Sequence, residues 1–286
     1  MINYVNKLGP IHVGNSNPVR IMGILNTSPE SFYKKSISIS KERIRDAVRR
    51  IEDDGADFID VGGMSTAPYI ATMISEKTET NRIIKAVKII QQISNLPISV
   101  DTSRATVAKE VLELGVDIIN DVSGLKYDPI MPKTIEKYGP SLVLCAYSKK
   151  TITGNQILKT KYLLKESLKI AKSANIPKSK IVLDPAIGFF RKEGMGSLFT
   201  KINSGHVQRD LLILKNLRSI KSDNPILVSV SNKSFIGKIL KKKNPIDRIY
   251  GSIAAELVAI RNGVVIIRTH NVDKTKNAMT IAQKLV

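Results

Sequence analysis

The chain has 286 residues, 42% of them apolar, and carries a formal net charge of +20. That length suits one large α/β domain, since closed barrels of this class run to about 250 residues, and no run approaches the roughly 20 apolar residues of a membrane span. The single cysteine, Cys145, excludes an intramolecular disulfide and points to a reducing cytoplasm, and a low aromatic content with no Trp argues against a base-stacking nucleic-acid surface.

In chain order, the pattern predicts strands near 19–25, 57–61, 97–100, 117–120, 141–146, 180–184, 225–230 and 264–268. Each is a short Val/Ile/Leu-rich run, as expected for strands buried on both faces. Helices are predicted between and after them, near 39–54, 76–94, 104–115, 130–138, 158–174, 206–221, 246–261 and 272–284. In the first, Ile44, Val48 and Ile51 share a face with Arg and Lys opposite; in the second, Ile83, Ile84, Val87 and Ile90 do so. Turn signals close them, among them Asp54-Gly55, Asn175-Ile176-Pro177 and Asn262-Gly263. Strict alternation demands parallel strands and right-handed crossovers, hence a single-domain (β/α)8 (TIM) barrel over residues 1–286 with a short N-terminal extension over about 1–18. An open doubly wound sheet is the alternative, and the lack of a Gly-x-Gly-x-x-Gly after the first strand argues against a dinucleotide fold. Met1–Pro10 lacks the apolar core of a signal peptide.

Polar residues close nearly every predicted strand: Asn26, Asp60, Asp101, Asn120-Asp121, Asp184, Ser231-Asn232-Lys233, and Arg268 with His270. On a parallel barrel these ends share the face where such folds keep their chemistry. Two carboxylates and an amide, Asp101, Asp184 and Asn120, can read the N–H donors and acceptors of a flat heterocycle. Lys233 adds a point charge for a ring carbonyl or nitrogen, and Arg268 and His270 suit phosphate oxygens. Each group has a plainer reading as a cap. Asp101-Thr102-Ser103 suits the N-cap of the helix from 104, and Asp60 and Asp121 either support the site or hold loops. His12 reads as a surface or hairpin residue, His206 as an exposed helix start, and Cys145 as an inert strand-end thiol. The scattered charge reads as solvated helix faces or as attraction for small phosphorylated substrates.

Seven blocks carry a resemblance over nearly the whole chain. They are Ile21-Met22-Gly23-Ile24-Leu25-Asn26-Thr27-Ser28-Pro29-Glu30-Ser31-Phe32, the stretch from Gly55 to Pro68, Ile98-Ser99-Val100-Asp101-Thr102, Ile118–Gly124, Leu183–Phe189, Ser231-Asn232-Lys233-Ser234-Phe235-Ile236-Gly237, and Arg268-Thr269-His270. In this order they resemble the signatures of dihydropteroate synthases. The resemblance implies a (β/α)8 barrel, usually dimeric, while composition and the lack of a long apolar run lead to the expectation of a cytoplasmic protein with no nucleic-acid or membrane partner. Its reaction joins 6-hydroxymethyl-7,8-dihydropterin diphosphate to an arylamine, 4-aminobenzoate in the family, with release of diphosphate. By resemblance Asp101, Asn120, Asp184 and Lys233 hold the pterin, with Asp101, Asp184 and Lys233 as the catalytic set. Asn26, Arg268 and His270 hold the diphosphate, Asn26 also serves Mg2+, and Thr66, Pro68, Phe189 and Ser231 face the arylamine.

The departures from the family pattern cluster on the arylamine side. Tyr33-Lys34-Lys35-Ser36 stands where Ser-Asp-Gly-Gly is usual, Ala67 where an Arg is usual, Asn232 for an Arg, Ala146-Tyr147 for Met-His, and Ala186 for a Gly. They raise the expectation of a bulkier, ribosylated and phosphorylated arylamine, with weak sulfonamide inhibition. A pterin-dependent methyltransferase and a non-catalytic pterin-binding barrel are the alternative functions.

Overall fold

The computed structural model describes residues 6–14, 16–28, 40–66, 68, 73–220 and 222–285. It opens with an antiparallel hairpin, β1 (Asn6–Leu8) and β2 (Ile11–Val13), which the sequence reading left as an extension; His12 is exposed on it. Eight parallel strands follow the predicted alternation: β3 (Arg20–Asn26), β4 (Phe58–Gly62), β5 (Ile98–Asp101), β6 (Ile118–Asp121), β7 (Ser141–Cys145), β8 (Ile181–Asp184), β11 (Leu227–Val228) and β12 (Ile266–Thr269). The spatial order is β11-β12-β3-β4-β5-β6-β7-β8, and a Leu183–Ile226 bridge draws β8 to β11, so the barrel is nearly closed. The loop between β8 and β11 contains β9 (Phe190–Arg191) and β10 (Thr200–Lys201), a short parallel pair that the sequence pattern did not reveal because neither strand exceeds two residues.

The helices form where their apolar faces predicted, with shifted ends. Lys41–Asp53 buries Ile44, Val48 and Ile51 and is capped by Ser40, whose hydroxyl accepts from the Arg43 N–H. The 158–174 helix starts earlier, at Gln156, because the Asn155 side chain accepts from the Ile157 and Leu158 N–H groups. The 206–221 helix breaks at Asn216 into His206–Lys215 and Leu217–Ile220. The 246–261 helix is a 3-10 turn, Pro245–Arg248, leading into Ile249–Arg261, which ends before Gly263 at φ +91°. An unanticipated helix, Ser234–Ile239, follows Lys233.

Side-chain parity explains how the barrel builds a site. Successive residues of a strand alternate between the barrel interior and the helix layer. The interior floor is an apolar cluster of Met22, Phe58, Ile118, Val143, Val182, Leu227 and Ile266, sealed from below by Leu8 and Val13 of the hairpin. Two residues further along the same strands, on the same side, stand Asp60, Asn120, Cys145, Asp184 and Arg268. The helix-side positions, such as Ile59, Ile119, Leu183 and Ile267, belong to the larger core beneath the helices.

Candidate active site

Arg268 is the hub of the upper barrel. Its Nε donates to Asp60 Oδ2 at 2.6 Å, its Nη2 lies 2.5 Å from the same oxygen, and Nη2 also reaches Asp101 Oδ2 at 2.9 Å. Asp60 is fully buried and also accepts from Ser99 Oγ (2.6 Å) and Asn120 Nδ2 (3.3 and 3.4 Å). The two acids raise the Arg268 pKa against the effect of its burial, so it stays a cation. Asp101 keeps one buried oxygen, Oδ1, with no hydrogen-bond partner. Burial, with Asp60 nearby, pushes the Asp101 carboxyl up to about 7 despite Arg268. Asp101 does not cap the following helix. Asp128 accepts from the Ala105 N–H instead (2.8 Å), so Asp101 remains available to the barrel mouth.

Asp184 and Lys233 meet at a loop held from outside. Asp184 Oδ1 accepts from the Ala186 N–H at 2.7 Å, and burial raises its pKa. Ala186 has φ +58°, a left-handed conformation that favours glycine. Gly188, at φ +85°, lies so close to Lys233 that an added Cβ would stand 2.9 Å from Lys233 Cδ. The Lys233 ammonium sits 4.3 Å from the centre of the Phe189 ring, and burial and Arg268 lower its pKa to about 8. Behind this loop lies a wholly buried ion pair. Arg209 donates to Pro185 O (2.8 Å), Ala186 O (3.1 Å) and Thr160 Oγ1 (3.2 Å), and Asp210 Oδ1 accepts from the Gly188 N–H (3.0 Å).

On the opposite rim His270 Nδ1 contacts Ser231 Oγ at 3.1 Å and Nε2 faces Asn26 Nδ2 at 3.5 Å. Burial and the Arg268 and Lys233 charges hold its pKa down to about 3, so the imidazole is neutral. A proton on Nδ1 satisfies both contacts. These groups line a cavity of about 60 Å³, bordered by Asn26, Thr66, Asp101, Phe189, Ser231, Lys233, Arg268 and His270 together with neighbouring residues. Asn120 and Asp184 lie deeper, and the cavity as it stands does not reach them. Pro68 is buried off the cavity, its carbonyl accepting from the Met195 N–H across the loop after β8.

Comparison with known proteins decides the family. Residues 22–270 match the pterin binding enzyme family. A dihydropteroate synthase from Clostridium beijerinckii is 32% identical over 287 residues, covering 98% of this chain and 99% of that one. The chain belongs to the dihydropteroate synthase family. A solved dihydropteroate synthase from Clostridium difficile, determined in the presence of pteroic acid, superposes with a TM-score of 0.82 at 32% identity, covering 100% of this chain and 99% of that one. An inactive dihydropteroate synthase 2 from Mycobacterium tuberculosis is 29% identical over 280 residues, covering 93% of this chain and 82% of that one.

Of the family departures, Tyr33 to Ser36 and Ala67 lie outside the described residues. Asn232 turns away from the mouth: at φ +56°, its N–H donates to Ser252 Oγ (2.9 Å) and its carbonyl accepts from Arg248 (3.0 Å). Tyr147 donates to Ser197 O at 2.7 Å, tying the loop after β7 to the loop after β8. Cys145 is buried and its thiol pKa is raised by burial, as an inert strand-end thiol requires. His206 is half-buried rather than exposed, with its pKa lowered by burial to about 4. Asp121 faces the loops: it accepts from Ser103 Oγ and from the Ser123 and Leu125 N–H groups.

Sequence reasoning missed Arg209, Asp210, Glu79 and Arg104. Buried Glu79 accepts from Thr102 Oγ1 and Arg104 Nη1, both at 2.8 Å, and Arg104 Nη2 donates to Ile74 O, joining the loops after β4 and β5. The only signal was charge at helix positions otherwise turned to the core.

Proposed function

We propose that this synthase-family chain joins a 6-hydroxymethyl-7,8-dihydropterin diphosphate to an arylamine, 4-aminobenzoate or a phosphorylated relative of it, in folate-type cofactor synthesis in the cytoplasm. The observation that carries the reading is the buried, unpartnered Oδ1 of Asp101 beside Asn120 at the top of the barrel. An acceptor held dry without a donor favours a ligand that supplies an N–H. Asp101, Asn120 and Asp184 would read the pterin ring, Lys233 would donate to a ring carbonyl or nitrogen, and contact with the two deeper residues requires the cavity to open further. Arg268, His270 and Asn26 would hold the diphosphate. The leaving group departs with the C–O electron pair, the amine nitrogen forms the new C–N bond, and its proton then passes to the released diphosphate or water. In its Nε2–H tautomer, with Nδ1 accepting from Ser231 Oγ, neutral His270 would donate a hydrogen bond to the diphosphate without adding charge, while Arg268 balances the charge developing on the leaving group.

Mg2+ fits only as a partner of the diphosphate. Among the described residues there is no group of three His, Cys, Asp or Glu side chains able to hold a metal. Asn26 supplies one neutral side-chain oxygen at the mouth, which suits an ion otherwise held by phosphate and water. Bound there, it would add Lewis-acid stabilisation of the leaving group.

The test is diphosphate release from the pterin diphosphate with 4-aminobenzoate and with a ribosyl-aminobenzene phosphate offered separately. Amine-dependent release and C–N coupling with either one are expected. Faster turnover with 4-aminobenzoate assigns it as the second substrate. Pterin binding without release would instead support the non-catalytic reading, favoured by Ala67 replacing the usual Arg.

We also propose a homodimer. Leu212 on the His206–Lys215 helix, Tyr250 and Val258 on Ile249–Arg261, Ile281 on Val272–Lys284 and Leu285 just beyond it are all exposed, with Tyr250 at 86%. An apolar patch of this kind on one flank suits a second copy. Light scattering should give twice the 31.6 kDa chain mass, and Tyr250→Glu should shift it towards monomer. A monomer at micromolar concentration would end this proposal.

A further inference from the structure

We propose that Asp60 is a positioning residue for this transfer, setting both the guanidinium of Arg268 and the amide of Asn120 from beneath the site. The inference rests on the proposed reading of Arg268 as a diphosphate ligand and Asn120 as a pterin ligand.

Asp60 lies on the interior side of β4, one layer above Phe58. It is fully buried, yet among the described residues every side chain bonded to it belongs to the barrel mouth or braces it: Arg268 from β12, Asn120 from β6 and Ser99 from β5. Asp121, the other acid closing a strand beside Asn120, is instead satisfied by local loop groups, the Ser123 and Leu125 N–H groups among them.

The chemistry of a carboxylate dictates the orientation of its neighbours. Ionised, it only accepts hydrogen bonds. The edge of the Asn120 amide that meets Asp60 must therefore be its NH2, and the carbonyl oxygen is turned to the other side. Asn120 is thus presented to a ligand as an acceptor. With Asp101 Oδ1 and Asp184 it completes a row of acceptors matched to the N–H and NH2 donors along the pyrimidine edge of a pterin. Lys233 supplies a donor on that wall. Without the charge at Asp60, the amide is free to flip and the row loses its uniform sign.

Arg268 is constrained in the same way. Asp60 grips it through Nε and Nη2, which fixes the plane of the guanidinium, while Nη2 is shared with Asp101. Among the described residues Nη1 has no carboxylate partner, so the two acids commit Nε and Nη2 alone. Ser99 Oγ, bonded at 2.6 Å across the β4–β5 pair, holds the carboxylate in turn.

The experiment measures binding of two probes, 6-hydroxymethyl-dihydropterin and its diphosphate, to the full chain, together with steady-state rates. The readout is the preference for the diphosphate over the alcohol, which loss of general stability does not move. Asp60→Asn keeps the shape and removes the charge. It should lower the diphosphate preference about tenfold, weaken the alcohol several-fold as well, and reduce kcat more than it raises KM. Arg268→Gln is the control and should abolish the preference. If Arg268→Gln abolishes it while folded Asp60→Asn keeps both affinities and kcat within about twofold, the inference about Asp60 is overturned and the diphosphate reading stands. If Arg268→Gln retains the preference, that reading fails and this inference falls with it. Should Asp60→Asn not fold, Ser99→Ala removes only the brace, and an unchanged preference there overturns the inference.

Discussion

Lys233→Ala is expected to reduce kcat/KM for the pterin diphosphate by about 10²- to 10³-fold. Lys233 is buried, packs against Gly188 and Phe189, and faces the buried carboxylate of Asp184. A charged hydrogen bond to a ligand in such a site is worth about 1.5–3 kcal/mol, and leaving a buried partner unpaired adds to the loss. The pH profile carries a second signature. On the proposed reading, pterin recognition needs Asp101 ionised and Lys233 protonated. The raised carboxyl of Asp101 ionises as pH rises through about 7, and the lowered ammonium of Lys233 loses its proton as pH rises through about 8. kcat/KM of the wild type should therefore trace a narrow bell between these limbs. His270, held down to about 3, contributes no limb near neutrality. Lys233→Ala should erase the alkaline limb and keep the acidic one. Initial rates from about pH 6 to about pH 10 measure this. A variant within about threefold of wild type that retains the alkaline limb would refute the assignment.

Arg209→Leu should be the most destabilising single change in the molecule, by about 3–5 kcal/mol near pH 8, out of a total that is typically about 5–15 kcal/mol. Both members of the pair are wholly buried, and Arg209 also lies 3.8 Å over the Phe190 ring while donating to two carbonyls of the Asp184 loop. Removing it strands Asp210. Burial already raises the Asp210 pKa in the folded state, and loss of its cation raises it further. A carboxyl whose folded pKa lies above its unfolded value destabilises the fold where it must ionise. The deficit should thus be full above the folded pKa and shrink as pH falls towards the unfolded value near about 3.9. Urea unfolding at two pH values checks both size and sign. Adding Asp210→Leu should recover part of the stability but not the activity, because the Gly188 N–H then loses its acceptor. A loss under about 1 kcal/mol near pH 8 would contradict the account.

The same two sites show what a linear chain conceals. Asp101, Asn120, Asp184, Lys233 and Arg268 were visible as polar tips on apolar runs. Asp60 and Asp121 looked alike, each an acid closing a strand. Parity separates them: Asp60 shares a side with Phe58 and enters the barrel, whereas Asp121 lies one residue beyond inward Asn120 and turns to the loops. Arg209 and Asp210 gave only the weak signal of charge on a core-facing helix position, because a basic-acidic dipeptide on a predicted helix is normally a solvated surface. Helix ends moved by one or two residues where a local cap such as Asn155 outweighed apolar periodicity. The cavity's failure to reach Asn120 and Asp184 was equally invisible, since it depends on how side chains from distant strands pack together.

By itself, the sequence determined eight strand–helix repeats and the polar closure of each strand. Burying a strand on both faces demands a short, continuous apolar run, and a crossover helix demands an amphipathic one, so both are written locally. Only the tertiary structure decided which polar groups share a charge. Arg268 meets an acid 208 residues away because β12 lies beside β3, and β3 beside β4, across the barrel seam. Electrostatic pairing acts over a few ångströms of space, and distance along the chain carries no record of it.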